Sequence, residues 1–380
     1  MRIAFYAPLK APTHGTPSGD RRVAGLLMQA LALAGERVEL VSTFRSYDRT
    51  GDAVRQAALR AQGEKLGASL AAGWLAQAAE MRPQLWFTYH LYYKAPDWLG
   101  PLVAERLGIP YILAEASFAP KRAGGAWAIG HEAAERAIRS AAAVLCPSRD
   151  DVPCLEPLVP RERLVLLPPF LDVTPYRAAA AHRAEHRAKL ATERRIDESV
   201  PWIVVAAMMR EGDKHASYRE LANALALLRD LPWRLLVAGE GAAQPAVEQA
   251  LEEAAPGRTT FLGALSERRL AAVYAAGDVC AWPAVNEAYG MALLEAEATG
   301  LPVVSCATRG VPDVVIDGRT GLLAPPGNTA EFAARLRSLL TDAVRRRKLG
   351  EGAAEFVLAQ RGLEAAARRL RDTLAGALAR

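Results

Sequence analysis

The chain has 380 residues, of which 51% are hydrophobic and 23% charged, and its formal net charge is +5. This length favours two domains, each large enough for its own core. No apolar run approaches the roughly 18 residues of a membrane helix, and no basic stripe with interleaved aromatic residues indicates nucleic-acid binding.

The four cysteines, Cys146, Cys154, Cys280 and Cys306, are scattered and form no C-x-x-C pair. Reduced thiols are therefore expected, and neither a disulfide framework nor a zinc site is indicated. Met1 leads directly into a strand-like run without a signal peptide, so we expect a cytoplasmic protein. The mild positive charge would also suit weak contact with the inner face of a membrane, although abundant Ala and Arg explain it equally well.

The N-terminal part alternates strand-like and helical segments. A strand at 2–7, a loop at 8–20, a helix at 23–33 and a strand at 38–42 open a doubly wound parallel sheet. Glycine in the loop lets the backbone approach a phosphate or sugar closely, which makes Gly19 a candidate; a plain surface loop is the alternative.

Further strands are predicted at 85–90, 111–114, 142–148 and 164–167. Because strand ends face the ligand crevice in such sheets, polar residues there are candidates for binding a ligand. They are His90, Glu115, Ser117, Lys121 and Arg122. A structural role for His90 is the alternative.

The composition changes at residues 173–199, which are rich in Arg and Ala and predict a basic linker with a solvated charged face. We therefore divide the chain into an N-terminal domain at 1–172, the linker, a C-terminal domain at 200–360 and a last helix at 361–380. The C-terminal domain opens with a strand at 202–208, followed by a loop with Arg210 and Lys214. Two cations there would clamp a diphosphate, and surface charges are the alternative. A later Gly239-Glu240-Gly241 is only a weak dinucleotide fingerprint, because no third glycine follows.

The most informative stretch is 286–300, which lies between strand-like runs at 279–282 and 301–306. A helix is predicted to begin near Tyr289, and its first amides and dipole would favour an anion. Glu287 lies before this helix and Glu295 in its second turn, so the two carboxylates can reach different parts of an extended ligand. A polyhydroxyl ligand suits them better than a metal. Glu297 is expected at the surface.

The Glu287/Glu295 pair with seven residues between, followed by Gly300-Leu301-Pro302-Val303-Val304, resembles the E-x7-E signature of retaining family 4 glycosyltransferases with the GT-B fold. The stretch 310–326 resembles the next block of that family. The resemblance implies two Rossmann-like doubly wound domains that face each other across a cleft, with the last helix crossing back to the N-terminal domain.

The resemblance also implies roles for individual residues. The polar residues at the strand ends of the N-terminal domain become the candidates for binding the acceptor. Glu295 would bind the ribose and Glu287 the donor sugar, while Arg210 and Lys214 would stabilise the leaving diphosphate. Backbone contacts to the donor would come from Tyr289, Gly290 and Met291, from Gly263 beside the nucleobase, and from Gly19 in the turn that is glycine-rich in the family.

The function expected from these features is that of a retaining, hexosyltransferase-like enzyme. It would move a sugar from a nucleotide-diphosphate donor to the hydroxyl of an unidentified saccharide, lipid or small molecule. No D-x-D motif occurs, so we expect neither metal nor other cofactor. The alternatives are a nucleotide-sugar epimerase of the same fold, a non-catalytic nucleotide-sugar-binding protein, and a phosphorylase, for which no sequence context nominates a pyridoxal lysine.

Overall fold

The computed structural model describes residues 1–16 and 18–379. The chain divides into two compact units. The N-terminal unit consists of Met1–Pro168 together with the C-terminal stretch that starts at Leu363, and the C-terminal unit is Pro169–Gly362. Each unit has its own sheet and is considered separately.

The sheet of the N-terminal unit has six parallel strands in the order β2-β1-β3-β4-β5-β6. The strands are β1 (Arg2–Tyr6), β2 (Arg37–Ser42), β3 (Leu85–Leu91), β4 (Tyr111–Ala116), β5 (Ala143–Cys146) and β6 (Leu164–Leu166). The longer helices before the second unit are α1 (Gly19–Leu33), α2 (Ala53–Leu75), α3 (Gly100–Leu107) and α4 (Ala128–Ser140). The direction of winding reverses between β1 and β3, and a crevice is expected there, at the carboxyl ends of the strands.

The sheet of the C-terminal unit also has six parallel strands, in the order β12-β11-β10-β7-β8-β9. They are β7 (Trp202–Ala206), β8 (Arg234–Ala238), β9 (Thr259–Gly263), β10 (Val279–Trp282), β11 (Val303–Cys306) and β12 (Gly321–Ala324). The helices are α5 (Thr174–Ala181), α6 (Arg183–Arg194), α7 (Asp213–Ala226), α8 (Gln244–Ala254), α9 (Glu267–Ala276), α10 (Met291–Ala298), α11 (Thr329–Thr341) and α12 (Ala343–Gln360). Here the winding reverses between β7 and β10. The predicted pair of doubly wound sheets is confirmed.

Residues 173–199, predicted as a basic linker, form α5 and α6, and both helices pack against α9 within the C-terminal unit. Asp278 holds α6 in place: its carboxylate lies 2.8 Å from Arg183 Nη2 and 2.9 Å from Arg187 Nη1. It also accepts a hydrogen bond from the Trp202 amide at 2.8 Å, and Arg187 stacks on the Trp202 ring at 4.1 Å. Arg183 and Arg187, which were predicted to lie on a solvated charged face, therefore make packing contacts instead.

The last helix, α13 (Leu363–Leu378), belongs to the N-terminal unit and packs against α1. Arg371 Nε donates to the carbonyl of Ala34 at 3.2 Å, just past the end of α1. The buried face of α13 includes Leu370 and Leu374. An amphipathic helix at the C terminus thus packs its apolar face against helix α1 of the N-terminal unit.

All four cysteines are free thiols. Burial raises the pKa of Cys146 to about 12 and that of Cys306 to about 11, so both stay protonated at neutral pH. Within the described residues, no helix is long and apolar enough to cross a membrane.

We expect Asp278→Ala to lower the free energy of unfolding of the C-terminal unit by about 2 kcal/mol, because it leaves Arg183 and Arg187 without their carboxylate. Urea titration followed by Trp fluorescence measures this change. Asp230→Ala is the control, because its pair with Arg337 is exposed and its loss should change the midpoint little. Equal midpoint shifts in the two variants would contradict the role of Asp278.

Candidate active site

Two of the predicted site residues meet at the switch point of the C-terminal unit. Lys214 lies in the first turn of α7, which follows β7, and Glu287 lies in the loop after the neighbouring strand β10. Lys214 Nζ donates to Glu287 Oε2, and the two side chains are 32% and 20% exposed. A cation and a carboxylate thus sit together, still accessible, where a doubly wound sheet binds its ligands.

The loop between β10 and α10 is held by α7. The Val285 amide donates to Ser217 Oγ at 2.9 Å, and Asn286 Nδ2 donates to Asp213 Oδ2 at 2.9 Å. Ala284 and Asn286 have φ values of 58° and 52°, in the left-handed region that non-glycine residues seldom occupy. Such strain persists only where surrounding contacts enforce it, and it is common at functional sites.

Helix α10 begins at Met291, two residues later than predicted. Gly290 precedes it with a φ of 73°, and a Cβ there would lie 2.9 Å from Leu293 Cδ1. The amides of Leu293 and Leu294 both donate to the Gly290 carbonyl. Met291 and Ala292 precede these two residues in the first turn of the helix. Their amides point toward its N-terminal end, where the helix dipole favours an anion.

The predicted donor residues around α10 differ in burial. Tyr289 and Met291 are partly buried at the start of the helix. Glu295, in the second turn, is only 6% exposed. The Glu295 carboxylate therefore lies deeper than that of Glu287, and its predicted contact with a ribose stays a prediction.

The prediction that Glu297 lies at the surface is wrong, because its side chain is completely buried. Its Oε1 accepts from Thr320 Oγ1 at 2.5 Å, while Oε2 has no hydrogen-bond partner among the described residues. Burial raises the pKa of Glu297 well above its usual value, and Thr320 and the charge of Arg361 offset this only in part. The prediction failed because α10 is packed against three other helices, α5, α9 and α12, rather than lying at the surface of the unit.

Arg210 lies in the loop after β7 with an exposed side chain, outside the Lys214–Glu287 pair. The backbone of this loop is fixed by the Gly239-Glu240-Gly241 turn after β8. The Met209 amide donates to the backbone carbonyl of Glu240 at 3.0 Å, and a Cβ on Gly241 would lie 2.2 Å from the Met209 carbonyl oxygen. The turn that resembled a weak dinucleotide fingerprint therefore positions the Arg210 loop.

Gly263 ends β9, at the carboxyl ends of the parallel strands, and has a φ of 69°. Its carbonyl accepts from the Gly239 amide at 2.9 Å. The left-handed backbone explains why glycine stands there, and its contact with a nucleobase stays a prediction.

Sequence reasoning missed the polar residues that support Glu287. Asp213, Ser217 and Asn286 tie its loop to α7, and Arg309, which follows β11 with a φ of 42°, lies with Nη1 3.4 Å from Asn286 Oδ1. Only the position of Asn286 directly before Glu287 gave any signal in the sequence.

The N-terminal unit has its own polar cluster, at the switch between β1 and β3. His90 Nδ1 lies 3.0 Å from Asp20 Oδ1 and 3.5 Å from Glu115 Oε1. His90 and Glu115 have left-handed φ values of 60° and 59° at the carboxyl ends of β3 and β4. The structure thus brings two of the predicted acceptor-side residues together and adds Asp20, whose place after Gly19 in α1 was the only hint.

The charged groups of this cluster shift one another's pKa values. Burial alone would lower the pKa of His90, but Glu115 and the hydrogen bond with Asp20 outweigh it and raise the pKa above 6.5. The hydrogen bond with His90 is the largest influence that lowers the pKa of Asp20. Both carboxylates lie at the same ring nitrogen, Nδ1, so His90 can donate a hydrogen bond to one of them while the other accepts from a ligand hydroxyl.

The remaining candidates of the N-terminal unit are more exposed. Gly19 is the first residue of α1, with Ser18 as its cap, and neither its φ nor its surroundings require glycine. Ser117 follows β4 with an exposed side chain. Lys121 and Arg122 are exposed on a single helical turn, and Arg122 Cζ lies 5.4 Å from the centre of the Tyr93 ring. Their ligand contacts stay predictions.

Solved structures with the same architecture cover almost the entire chain. Sucrose-phosphate synthase from Thermosynechococcus elongatus matches with a TM-score of 0.72 and 21% identity, over 100% of this chain and 99% of that chain. The Anabaena protein HepE in complex with UDP matches with a TM-score of 0.73 and 16% identity, over 99% and 100%. Together with the two parallel six-stranded sheets, these likenesses show that the chain has the GT-B fold.

Residues 201–342 match the family model described as glycosyl transferases group 1. The D-inositol 3-phosphate glycosyltransferase of Nocardia farcinica is 35% identical over 199 residues, which are 50% of this chain and 42% of that protein. The protein of the same name from Rhodococcus erythropolis is 29% identical over 285 residues, 71% of this chain and 63% of that protein. The chain thus spans less than two thirds of the length of these relatives.

We expect Asp20→Asn to lower the pKa of His90, because it removes a carboxylate that stabilises the imidazolium. With the folded pKa raised, the stability that His90 contributes is full below pH 6.5 and is lost as the pH rises through the folded value. Histidine ring resonances followed by NMR through a pH titration measure the pKa. Glu39→Gln, an exposed change of the same charge, is the control and should leave it unaltered. An identical His90 titration in wild type and Asp20→Asn would refute the coupling.

Proposed function

We propose that this protein is a glycosyltransferase that moves a sugar from a nucleotide-diphosphate donor to an acceptor hydroxyl. The observation that carries the proposal is the Lys214–Glu287 pair at the switch point between β7 and β10, beside the N terminus of α10. All residues of this pair and its support fall within the segment that matches group 1 glycosyl transferases.

The donor would lie along the carboxyl edge of the C-terminal sheet. Its phosphates would accept hydrogen bonds from the amides of Met291 and Ala292 and from Lys214, and Arg210 would add a second cation. Glu287 would accept hydrogen bonds from the sugar hydroxyls and Glu295 from the ribose. The complexes of HepE with UDP and with UDP-glucose support a nucleotide-sugar ligand for this fold, without identifying the donor of this protein.

Binding would change the role of Lys214. Without a ligand its ammonium neutralises Glu287; an incoming diphosphate competes for that ammonium and leaves the carboxylate to accept from sugar hydroxyls. Donor binding thus exchanges one ion pair for another, so neither charge is left without a partner.

We propose that transfer retains the configuration of the sugar. The bond from the anomeric carbon to the phosphate oxygen breaks, the bond to the acceptor oxygen forms on the same face, and the acceptor proton passes to the departing phosphate. Lys214, Arg210 and the α10 amides would stabilise the charge that develops on that phosphate. Because cations of the chain supply this stabilisation, we propose that the reaction needs no metal ion.

The site indicates less about the identity of the acceptor than about that of the donor. The names of two relatives make an inositol phosphate one candidate. In the N-terminal unit, His90 with its two carboxylates is the group that would orient an acceptor hydroxyl.

We expect Glu287→Gln to lower kcat/KM by about 100-fold, because the amide no longer accepts as strongly from the donor sugar. The assay screens UDP-, GDP- and ADP-sugars for donor consumption and analyses the products by mass spectrometry. A new glycosidic product supports the proposal, an isomerised nucleotide sugar would indicate an epimerase, and binding without turnover a binding protein.

Glu211→Gln is the matched control. Glu211 is exposed in the loop between β7 and α7, so this substitution should leave the rate unaltered. Full activity of Glu287→Gln would contradict the assignment. EDTA should not change the rate, and a loss of activity that Mg²⁺ or Mn²⁺ restores would contradict the metal-independent mechanism.

A further inference from the structure

A row of aromatic rings extends from His90 across the N-terminal unit. The His90 ring lies 5.4 Å from that of Tyr92, Tyr92 lies 5.5 Å from Tyr93, and Tyr93 lies 5.7 Å from Trp127. Tyr92, Tyr93 and Trp127 are all partly exposed. The row therefore presents ring surface to solvent next to the His90 cluster.

Two cations converge on this row. Lys94 Nζ lies 4.6 Å from the centre of the Trp127 ring and 5.8 Å from that of Tyr93. Arg122 Cζ lies 5.4 Å from the same Tyr93 ring. We name Tyr92, Tyr93, Lys94, Arg122 and Trp127 the cation–aromatic platform.

Neither cation of the platform forms an ion pair with a carboxylate in the described part of the chain. The carboxylate of Asp48 serves other groups: it accepts from the Gly51 amide at 2.8 Å and from Thr50, and lies 3.6 Å from Arg55 Nε. Asp48 supports the platform through its backbone instead. Its carbonyl accepts from Trp127 Nε1 at 3.2 Å, and its amide donates to the Lys94 carbonyl at 2.8 Å.

Close packing against neighbouring backbone holds the platform in place. A Cβ on Gly130, in the first turn of α4, would lie 2.1 Å from the Tyr93 carbonyl oxygen. A Cβ on Gly51 would lie 2.8 Å from Ala126 Cβ, next to Trp127. Gln56 also joins the two sides, donating to the Ala126 carbonyl at 2.8 Å and accepting from the Gly130 amide at 3.2 Å. A platform held this closely is preorganised for a ligand.

From these contacts we propose that the cation–aromatic platform binds the anionic group of a sugar or cyclitol acceptor, a phosphate or a carboxylate. The proposal rests on the proposed function and specifies its acceptor. The partly exposed rings offer apolar surface to a sugar ring, while Lys94 and Arg122 form charge-assisted hydrogen bonds with the anion. A hydroxyl of the same sugar then lies toward His90, next to Tyr92 in the row.

The geometry favours a charged sugar over a neutral one. Lys94 and Arg122 both lie over the Tyr93 ring, and neither pairs with a carboxylate among the described residues, so a ligand anion would be a charged partner for both. Burial, Tyr47 and Tyr93 raise the pKa of Tyr92, so its hydroxyl remains a donor for the ligand at neutral pH.

The test is direct calorimetric binding to the full chain, which needs no turnover. The probes are myo-inositol 1-phosphate and glucose 6-phosphate for the phosphate, glucuronate for the carboxylate, inorganic phosphate alone, and the neutral parents myo-inositol and glucose. We expect at least one charged sugar to bind about tenfold or more tightly than its neutral parent.

The double variant Lys94→Gln/Arg122→Gln should weaken the charged probe by about tenfold or more and leave the neutral parent unchanged. Lys65→Gln/Arg106→Gln is the matched control, because it removes the same charge from exposed positions of this unit and should not alter binding. Trp127→Leu should weaken charged and neutral sugars by a similar factor. Thermal unfolding of each variant checks that it folds.

Equal affinity for charged and neutral sugars, equal losses in the two double variants, or no binding of any probe at millimolar concentration would overturn the proposal. Tight binding of inorganic phosphate without a preference for a phosphorylated sugar would reduce the site to an anion site and also overturn it. Donor consumption is measured separately with UDP-, GDP- and ADP-sugars, so a failed acceptor proposal is distinguishable from a failed glycosyltransferase assignment.

Discussion

The ion pair between Lys214 and Glu287 is the contact on which the C-terminal site depends. It joins the helix after β7 to the loop after β10, two strands that are neighbours in space although about 70 residues of chain separate Lys214 from Glu287. Strand order creates this adjacency, because the winding of the sheet reverses between them. The strained backbone at Ala284 and Asn286 holds Glu287 toward Lys214, and α7 supplies the hydrogen bonds that sustain this strain.

Helix α7 is itself anchored to the sheet. Tyr218 donates its hydroxyl proton to the Ala207 carbonyl at 2.8 Å, and its ring lies 4.9 Å from that of Trp282 at the end of β10. The site therefore rests on buried aromatic packing rather than on loop conformation alone. The N-terminal unit has the same arrangement: its polar cluster lies where the winding reverses between β1 and β3, with strained backbone at His90 and Glu115.

The two doubly wound parallel sheets could be predicted from the sequence because buried parallel strands appear as short, continuous apolar runs bounded by polar loops. The Glu287/Glu295 spacing and the cations after β7 could also be located, because each lies directly beyond such a run. Contacts between residues that are distant in sequence could not be predicted. Nothing in the local pattern showed that Asp278 would hold Arg183 and Arg187, or that Glu297 would be buried beside Thr320. Asp20 and the aromatic row were missed for the same reason, since periodicity describes one element at a time.

In the proposed complex, a nucleoside diphosphate binds at the N terminus of α10 and takes Lys214 from Glu287. The decisive measurement is a crystal structure of the protein with UDP, or with whichever nucleotide the donor screen selects. We expect the terminal phosphate within hydrogen-bond distance of the Met291 or Ala292 amide, with Lys214 Nζ turned toward it. A nucleotide bound elsewhere on the C-terminal unit, with the Lys214–Glu287 pair intact, would contradict it.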